Sequence, residues 1–146
     1  MYLTSSGAIV FGVADSSSYT QTVRTAGVVN DGAWHHVAGT LSATAGVHVY
    51  LDGTDMTSTA TALSTYFNPP YGSTATTAAT IKSSRTSTTT GYWRVGMGDG
   101  APNWPGHNPF NANDQFVYLK GQLTGVSVFR TTLTSDQVAS LAASGR

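Results

Sequence analysis

One stretch of the sequence, residues 98–114, interleaves aromatic rings with amide side chains. Sugar rings stack on aromatic faces, and amides both donate hydrogen bonds to sugar hydroxyls and accept them. This combination predicts a carbohydrate-binding site. In the structural alternative, the rings of Trp104 and Phe110 close one end of a core while the amides form turns. We favour this alternative for Phe110. For Trp104 the sugar-binding and structural interpretations are equally supported. The predicted ligand-binding residues are Trp104, Asn103, His107, Asn111 and Asp99.

The same stretch is rich in side-chain oxygens that suit a calcium ion. Calcium takes several oxygen ligands from carboxylates and carbonyls. Asp99, Asn113 and Asp114 could supply them from one loop. In the alternative, these side chains bond to their own backbone in Asx turns. Calcium is therefore a candidate cofactor, with Asp99, Asn113 and Asp114 as its candidate ligands.

The acidic residues argue against a hydrolase. The chain has no Glu, its seven acidic residues are all Asp, and no two of them stand two positions apart on a predicted strand. A retaining glycosidase needs two carboxyl groups about 5 Å apart, one of them with a raised pKa. The sequence also lacks a Gly-x-Ser-x-Gly nucleophile elbow. These absences predict a chain that binds without catalysing a reaction.

Two neighbouring histidines, His35 and His36, invite a metal or proton-relay interpretation. Adjacent residues of a strand point to opposite faces, so the two rings cannot bind one ion together. We expect both to be structural, one ring lying in the core and bonded to backbone, the other exposed.

The composition restricts the partners and the compartment. Only 10% of residues are charged and the formal net charge is zero, so no basic face is available for nucleic acid or an anionic membrane surface. Cysteine is absent, which excludes disulfides and cysteine-bound zinc. No apolar run is long enough for membrane insertion, and no signal peptide is visible. Because its surface is polar but scarcely ionic, we expect a secreted or cell-surface protein whose signal is not present in this chain.

Short alternating segments between turn residues predict β-strands. In the segment 47–51 the valines and the leucine should face one way, the histidine and the tyrosine the other. Asp52 and Gly53 tolerate positive φ, so a tight hairpin is expected there. Trp34 and Trp93 are assigned to the core. The predicted strands are residues 9–13, 19–23, 34–41, 47–51, 92–97, 116–119 and 121–129.

The end of the chain is less regular. In the predicted strand 121–129 the alternation breaks at residues 124–125, which requires a bulge. Thr134 and Gln137 have the spacing of a capping box, which predicts a short helix that ends near Gly145.

Residues 54–90 form a Thr-, Ser- and Ala-rich stretch of low complexity. We interpret it as an insertion between core strands. Residues 60–63 and 78–81 within it could form short edge strands.

Two parts of the chain resemble a known family. Residues 29–40 read VNDGAWHHVAGT and residues 49–53 read VYLDG, which is similar to the central signature of laminin-G-like, concanavalin A-like jelly-roll domains. Residues 119–129 and 133–138 resemble that family's closing strand and helical turn. The resemblance implies an all-β, jelly-roll β-sandwich with a short C-terminal helix, in one domain spanning residues 1–146. It also implies that one or more opening strands are missing.

The resemblance carries functional expectations as well. The family includes lectin-like modules, adhesion domains and appendages to secreted hydrolases, and many of its members bind calcium. It therefore implies a glycan or another extracellular ligand. One departure concerns Thr124 and Gly125, which stand where the family's closing strand usually carries acidic residues and so weaken any metal contact there.

Missing strands would leave unpaired backbone groups at a sheet edge. A second copy of the chain, or a strand-donating partner chain, could pair with that edge. The alternative function is therefore a structural or adhesive module that binds protein or its own copies and has no sugar site.

Overall fold

The computed structural model describes residues 1–4, 6–14, 19–25, 27–42, 45–57, 61–66, 74–77, 95, 97–99 and 116–145. In them the chain forms ten strands and one helix. These are β1 (Tyr2–Leu3), β2 (Ile9–Ala14), β3 (Tyr19–Arg24), β4 (Val37–Ser42), β5 (Gly46–Leu51), β6 (Thr54–Asp55), β7 (Thr61–Tyr66), β8 (Thr74–Thr77), β9 (Met97–Asp99), β10 (Phe116–Tyr118) and α1 (Ser135–Ala143).

The larger sheet has five antiparallel strands in the order β1-β2-β3-β7-β8. β2 and β3 confirm the strands predicted from alternation. β7 overlaps the possible edge strand at residues 60–63, but it is hydrogen-bonded to β3 on one side and to β8 on the other. It is therefore an interior strand, and the Thr-rich stretch contributes to the sheet. Residues 78–81 lie outside the described residues.

A second sheet contains β4, β5 and β6, and a separate antiparallel pair joins β9 to β10. β4 begins at Val37, three residues later than the strand predicted from Trp34. The hairpin from β5 to β6 turns through Asp52 at φ 51° and Gly53 at φ 79°, with Leu51 paired to Thr54. Two positive φ values in a two-residue loop are the mark of a type I′ turn. The predicted tight hairpin is confirmed.

The core lies where the two sheets face each other. Val47 and Val49 of β5 pack with Ile9 of β2 and Val23 of β3, and all four are buried. The valines point inward because alternate residues of a strand share a face. Such a stack of two antiparallel sheets is a β-sandwich, and with one short helix it gives the predicted jelly-roll class of fold.

The helix packs against the β5–β6 hairpin. Its start has the predicted capping box: Gln137 N donates to Thr134 Oγ1 at 3.3 Å, and Thr134 N donates to Gln137 Oε1 at 2.9 Å. Val138 is fully buried, and Tyr50, on the face of β5 opposite the valines, is buried with its hydroxyl 3.4 Å from Ser135 Oγ. Within the described residues, no helix is long and apolar enough to cross a membrane.

Two predictions about burial and pairing are wrong. Trp34, assigned to the core, is 64% exposed, because it lies in the loop before β4 rather than within the strand. Residues 121–129, predicted as a bulged strand, form no ladder with any described residue and are exposed throughout. Alternation there marks an extended chain but does not supply a neighbouring strand. Trp93 lies outside the described residues.

Candidate ligand-binding site

The loop that precedes β4, residues 31–36 (the Trp34 loop), is shaped by one aspartate. Asp31 Oδ1 accepts a hydrogen bond from Ala33 N at 2.9 Å and a second from His35 Nε2 at 3.0 Å. The first bond is an Asx turn, which is the ordinary use of Asp at a turn. One oxygen of Asp31 therefore binds the residues on both sides of Trp34.

A second aspartate reaches the same loop from the hairpin turn. Asp52 Oδ2 accepts from His35 Nδ1 at 2.8 Å, and Oδ1 accepts from His36 N at 2.9 Å. Asp52 N in turn donates to His36 O at 2.8 Å. These contacts continue the β4–β5 ladder by one position beyond its last pair, Val37 with Leu51. The Trp34 loop is thus held by the same hairpin that builds the core.

Both ring nitrogens of His35 face a carboxylate, an arrangement that favours the protonated, cationic form of the ring. The hydrogen bonds from Asp52 and then Asp31 raise the pKa of His35 above its ordinary 6.5. Hydrogen bonds from Ala33 N and His35 lower the pKa of the Asp31 carboxyl. Burial acts to raise the pKa of Asp52, but hydrogen bonds from His35 and His36 N outweigh it, and the pKa is lowered. With His35 protonated, the Asp31–His35–Asp52 group carries one net negative charge.

The exposed face of this loop combines an aromatic ring with acceptors. Trp34 is 64% exposed, and the side chains of Asp31 and Asp52 are 53% and 52% exposed. Asp31 Oδ2 makes no hydrogen bond to another described residue, since the bonds from Ala33 and His35 both go to Oδ1, so it is available to a ligand. The loop therefore carries both an exposed indole and a half-exposed carboxylate.

A second histidine–aspartate pair lies on the hairpin, but it has no exposed indole or free carboxylate oxygen like those of the Trp34 loop. His48 Nδ1 bonds to Asp55 Oδ2 at 3.0 Å, Nε2 bonds to Ala45 O at 3.2 Å, and the ring stacks on Tyr50 with a 6.3 Å centroid distance. Asp55 also accepts from the backbone and the hydroxyl of Thr57. Both ring nitrogens of His48 are hydrogen-bonded, so the His48–Asp55 pair stabilises the hairpin.

The residues predicted as sites are mostly outside the described residues. Asp99 ends β9, paired with Phe116, and only its backbone is described. The remaining members of the predicted ligand site and calcium site lie beyond the described ranges: Asn103, Trp104, His107, Asn111, Asn113 and Asp114. Those assignments stay predictions. Across the described part of the chain, no three histidine or acidic side chains are arranged to hold a metal ion.

The expectation of one core ring bonded to backbone and one exposed ring is wrong, because both histidines are half-buried in the loop before β4 rather than on a strand. His35 bonds to side-chain carboxylates rather than to backbone. His36 is half-buried, and its Nδ1 is buried without a hydrogen-bond partner among the described residues. The Asp31–His35–Asp52 group was missed at the sequence level; the available signal was a pair of Asp-Gly turns, one just before the two histidines and one after the strand pair.

The fold is a β-sandwich whose Trp34 loop presents an exposed indole and two half-exposed carboxylates. A laminin G-type family model, described as the concanavalin A-like lectin/glucanases superfamily, matches residues 1–92. The chain therefore belongs to this superfamily. Laminin G-like domains of this superfamily are typically non-catalytic modules that bind extracellular ligands.

Two further comparisons add little to the family assignment. A 2.1 Å crystal structure of an S-layer domain-containing protein from Clostridium thermocellum is similar at 19% identity with a TM-score of 0.47. The match covers 97% of this chain and 66% of that chain. No curated protein sequence matches.

Proposed function

We propose that this chain is a non-catalytic extracellular module that binds carbohydrate. The observation that carries the proposal is the exposed indole of Trp34 on a loop pinned by Asp31 and Asp52. An aromatic ring held in one orientation loses little conformational entropy when a sugar stacks on it. The open Asp31 oxygen adds, on the same loop, a hydrogen-bond acceptor for a sugar hydroxyl.

The carboxylates of the described residues also favour binding over hydrolysis. Cleavage of a glycosidic bond needs one carboxyl group with a raised pKa to protonate the leaving oxygen. Hydrogen bonding lowers the pKa of Asp31, and it does the same for Asp52 and Asp55 against the opposing effect of burial. All three are ionised at neutral pH, so none of them serves as that acid.

The predicted aromatic stretch belongs to the proposal as a second contact region. Trp104 with Asn103, His107, Asn111 and Asp99 would extend the contact along a longer glycan. Calcium at Asp99, Asn113 and Asp114 is proposed on the same grounds as before, which are the chemistry of those oxygens and the family resemblance.

A glycan array probed with the purified chain, in calcium and in a chelator, tests the function. A glycan bound on the array is then titrated against variants. We expect Trp34→Ala to weaken binding about tenfold or more, since loss of one stacked ring removes about 1.4 kcal/mol. Phe129→Ala is the matched control because Phe129 is a half-exposed ring elsewhere on the surface; it should leave affinity unchanged. If no glycan is retained in either condition, the proposal is wrong.

The measurement in chelator tests the calcium site, and a Trp104→Ala variant tests the second contact region. Affinity that falls in chelator and again on Asp99→Asn supports the calcium site. If the affinity is independent of calcium and Trp104→Ala does not change it, the glycan site is restricted to the Trp34 loop.

A second candidate function, self-assembly, has one specific observation in its favour. Residues 121–129 are exposed and form no ladder with any described residue, and β4 is an edge strand of its sheet in the described part of the chain. Thr132 Oγ1 donates to Leu41 O at 2.8 Å, which brings the end of this segment to the β4 edge. A second copy could pair its own segment with that edge. The large apolar side chains exposed on the segment are Leu123, Val126, Val128 and Phe129.

Light scattering across a range of protein concentrations separates the two candidates. Oligomers that form with rising concentration and vanish in Val128→Lys, together with an empty glycan array, would favour assembly. A concentration-independent monomer that retains a glycan would favour carbohydrate binding.

A further inference from the structure

The Trp34 loop carries a charge that must influence which sugars can approach the indole. Asp31 and Asp52 are each about half exposed, and His35 between them compensates only one of the two negative charges. The Asp31 carboxylate bonds to both sequence neighbours of Trp34, so this charge lies on the same short loop as the indole.

We propose that the Trp34 loop is a sugar subsite that stacks a pyranose ring on the Trp34 indole, accepts a hydroxyl or ammonium hydrogen at Asp31 Oδ2, and selects amine-bearing sugars over acidic ones. The inference rests on the proposed carbohydrate-binding function and names the class of sugar.

Electrostatics set the direction of this selection. A uronic acid stacked on the indole brings a carboxylate towards the Asp31 carboxylate, and like charges repel. A protonated amino sugar brings an ammonium group to the same oxygen and forms a charge-assisted hydrogen bond. A neutral sugar can use the oxygen only through a hydroxyl and falls between the two.

The size of the effect is limited by exposure. Ion pairs open to water contribute at most about fivefold in affinity, and salt weakens them. We therefore expect steps of about two- to fivefold between cationic, neutral and anionic sugars at low ionic strength. The differences should shrink when salt is added.

The experiment compares three oligosaccharides of equal length at mildly acidic pH: N-acetylglucosamine oligomers, their de-N-acetylated counterparts, and oligogalacturonate. Calorimetric titration should rank them cationic, neutral, anionic. Asp31→Asn should bring the three affinities together, because Asn keeps the carbonyl oxygen that accepts from Ala33 N and His35 while losing the charge. The control Asp136→Asn removes an exposed charge on α1 and should leave the ranking intact.

The possible outcomes distinguish this inference from the proposed carbohydrate-binding function on which it rests. The inference is overturned if oligogalacturonate binds as tightly as the cationic oligomer, if the cationic oligomer does not bind, or if Asp31→Asn preserves the ranking. In each of these cases, binding of any glycan on the array still supports the proposed carbohydrate-binding function. Only an empty array removes both. Circular dichroism of the Asp31→Asn variant establishes that it is folded.

Discussion

His35 is the residue whose charge is most closely tied to the fold. Its two ring nitrogens donate to Asp52 and Asp31, and these bonds raise its pKa above the ordinary 6.5. A group with a raised pKa in the folded state stabilises the protein fully below its unfolded pKa, and this contribution is lost as pH rises through the folded pKa. We expect the melting temperature to fall as pH is raised above about 6.5.

The two aspartates bonded to His35 set the lower pH limit of maximal stability. The pKa values of Asp31 and Asp52 lie below their ordinary 3.8, so their contribution is present above that pH and is lost as pH falls through the lowered values. Melting curves across the pH range should therefore show highest stability between about pH 4 and 6.5. His35→Asn should flatten the decline on the alkaline side. An unchanged alkaline decline in that variant would assign it to another group.

Single residues also show where sequence reasoning reached its limit. The type I′ turn at Asp52-Gly53 was predictable because positive φ is a local property of those two residues. The contact of Asp52 with His35 was not, since it depends on the register that places His36 opposite Asp52. Trp34 was misassigned for a related reason: the hydrophobicity of a residue does not reveal whether another element covers it.

The strands provide a matched pair of predictions on burial. Val49 in β5 is fully buried between the sheets, whereas Val128 in the unpaired segment is 54% exposed. Val49→Ala should cost about 2 to 3 kcal/mol of unfolding free energy through lost burial and an unfilled cavity. Val128→Ala should change it by less than about 0.5 kcal/mol. Urea unfolding measures both, and equal losses would mean that residues 121–129 pack as a strand in solution.

The helix is an element whose start was fully readable from the sequence. Thr134 and Gln137 satisfy each other's backbone groups, so the pattern needed no tertiary information. Thr134→Ala should lower the unfolding free energy by about 1 kcal/mol. Thr131→Ala, an exposed threonine just before the helix, is the control and should have no effect on urea unfolding. A loss of similar size in both variants would mean that the cap is not the cause.

The elements that were misjudged share a different feature. β7 was predicted as an edge strand at most, and residues 121–129 as a paired strand, yet the structure reverses these positions in the described residues. Composition and alternation determine whether a segment suits an extended conformation. Which segment becomes its neighbour depends on long-range pairing, which a local pattern does not encode.

At the scale of the whole molecule, the two sheets are in close contact where Gly39 of β4 faces Phe11 of β2. A Cβ added at Gly39 would lie 2.6 Å from Cγ of the Phe11 ring and 2.7 Å from both Cδ atoms. The absence of a side chain at Gly39 therefore allows the ring to pack flat between the layers. Gly39→Ala must either displace the ring or separate the sheets, at a cost of about 1 to 3 kcal/mol.

A double-mutant cycle tests whether this contact holds the layers together. In a Phe11→Ala background the added methyl group enters space vacated by the ring, so Gly39→Ala should cost much less there than in the native chain. Coupling of about 1 kcal/mol or more is expected for residues in direct contact. Gly27→Ala is the control, because a Cβ at Gly27 meets nothing within 4 Å. Additive effects of Gly39→Ala and Phe11→Ala on urea unfolding would show that the sheets do not approach at this point and that the sandwich is stabilised elsewhere.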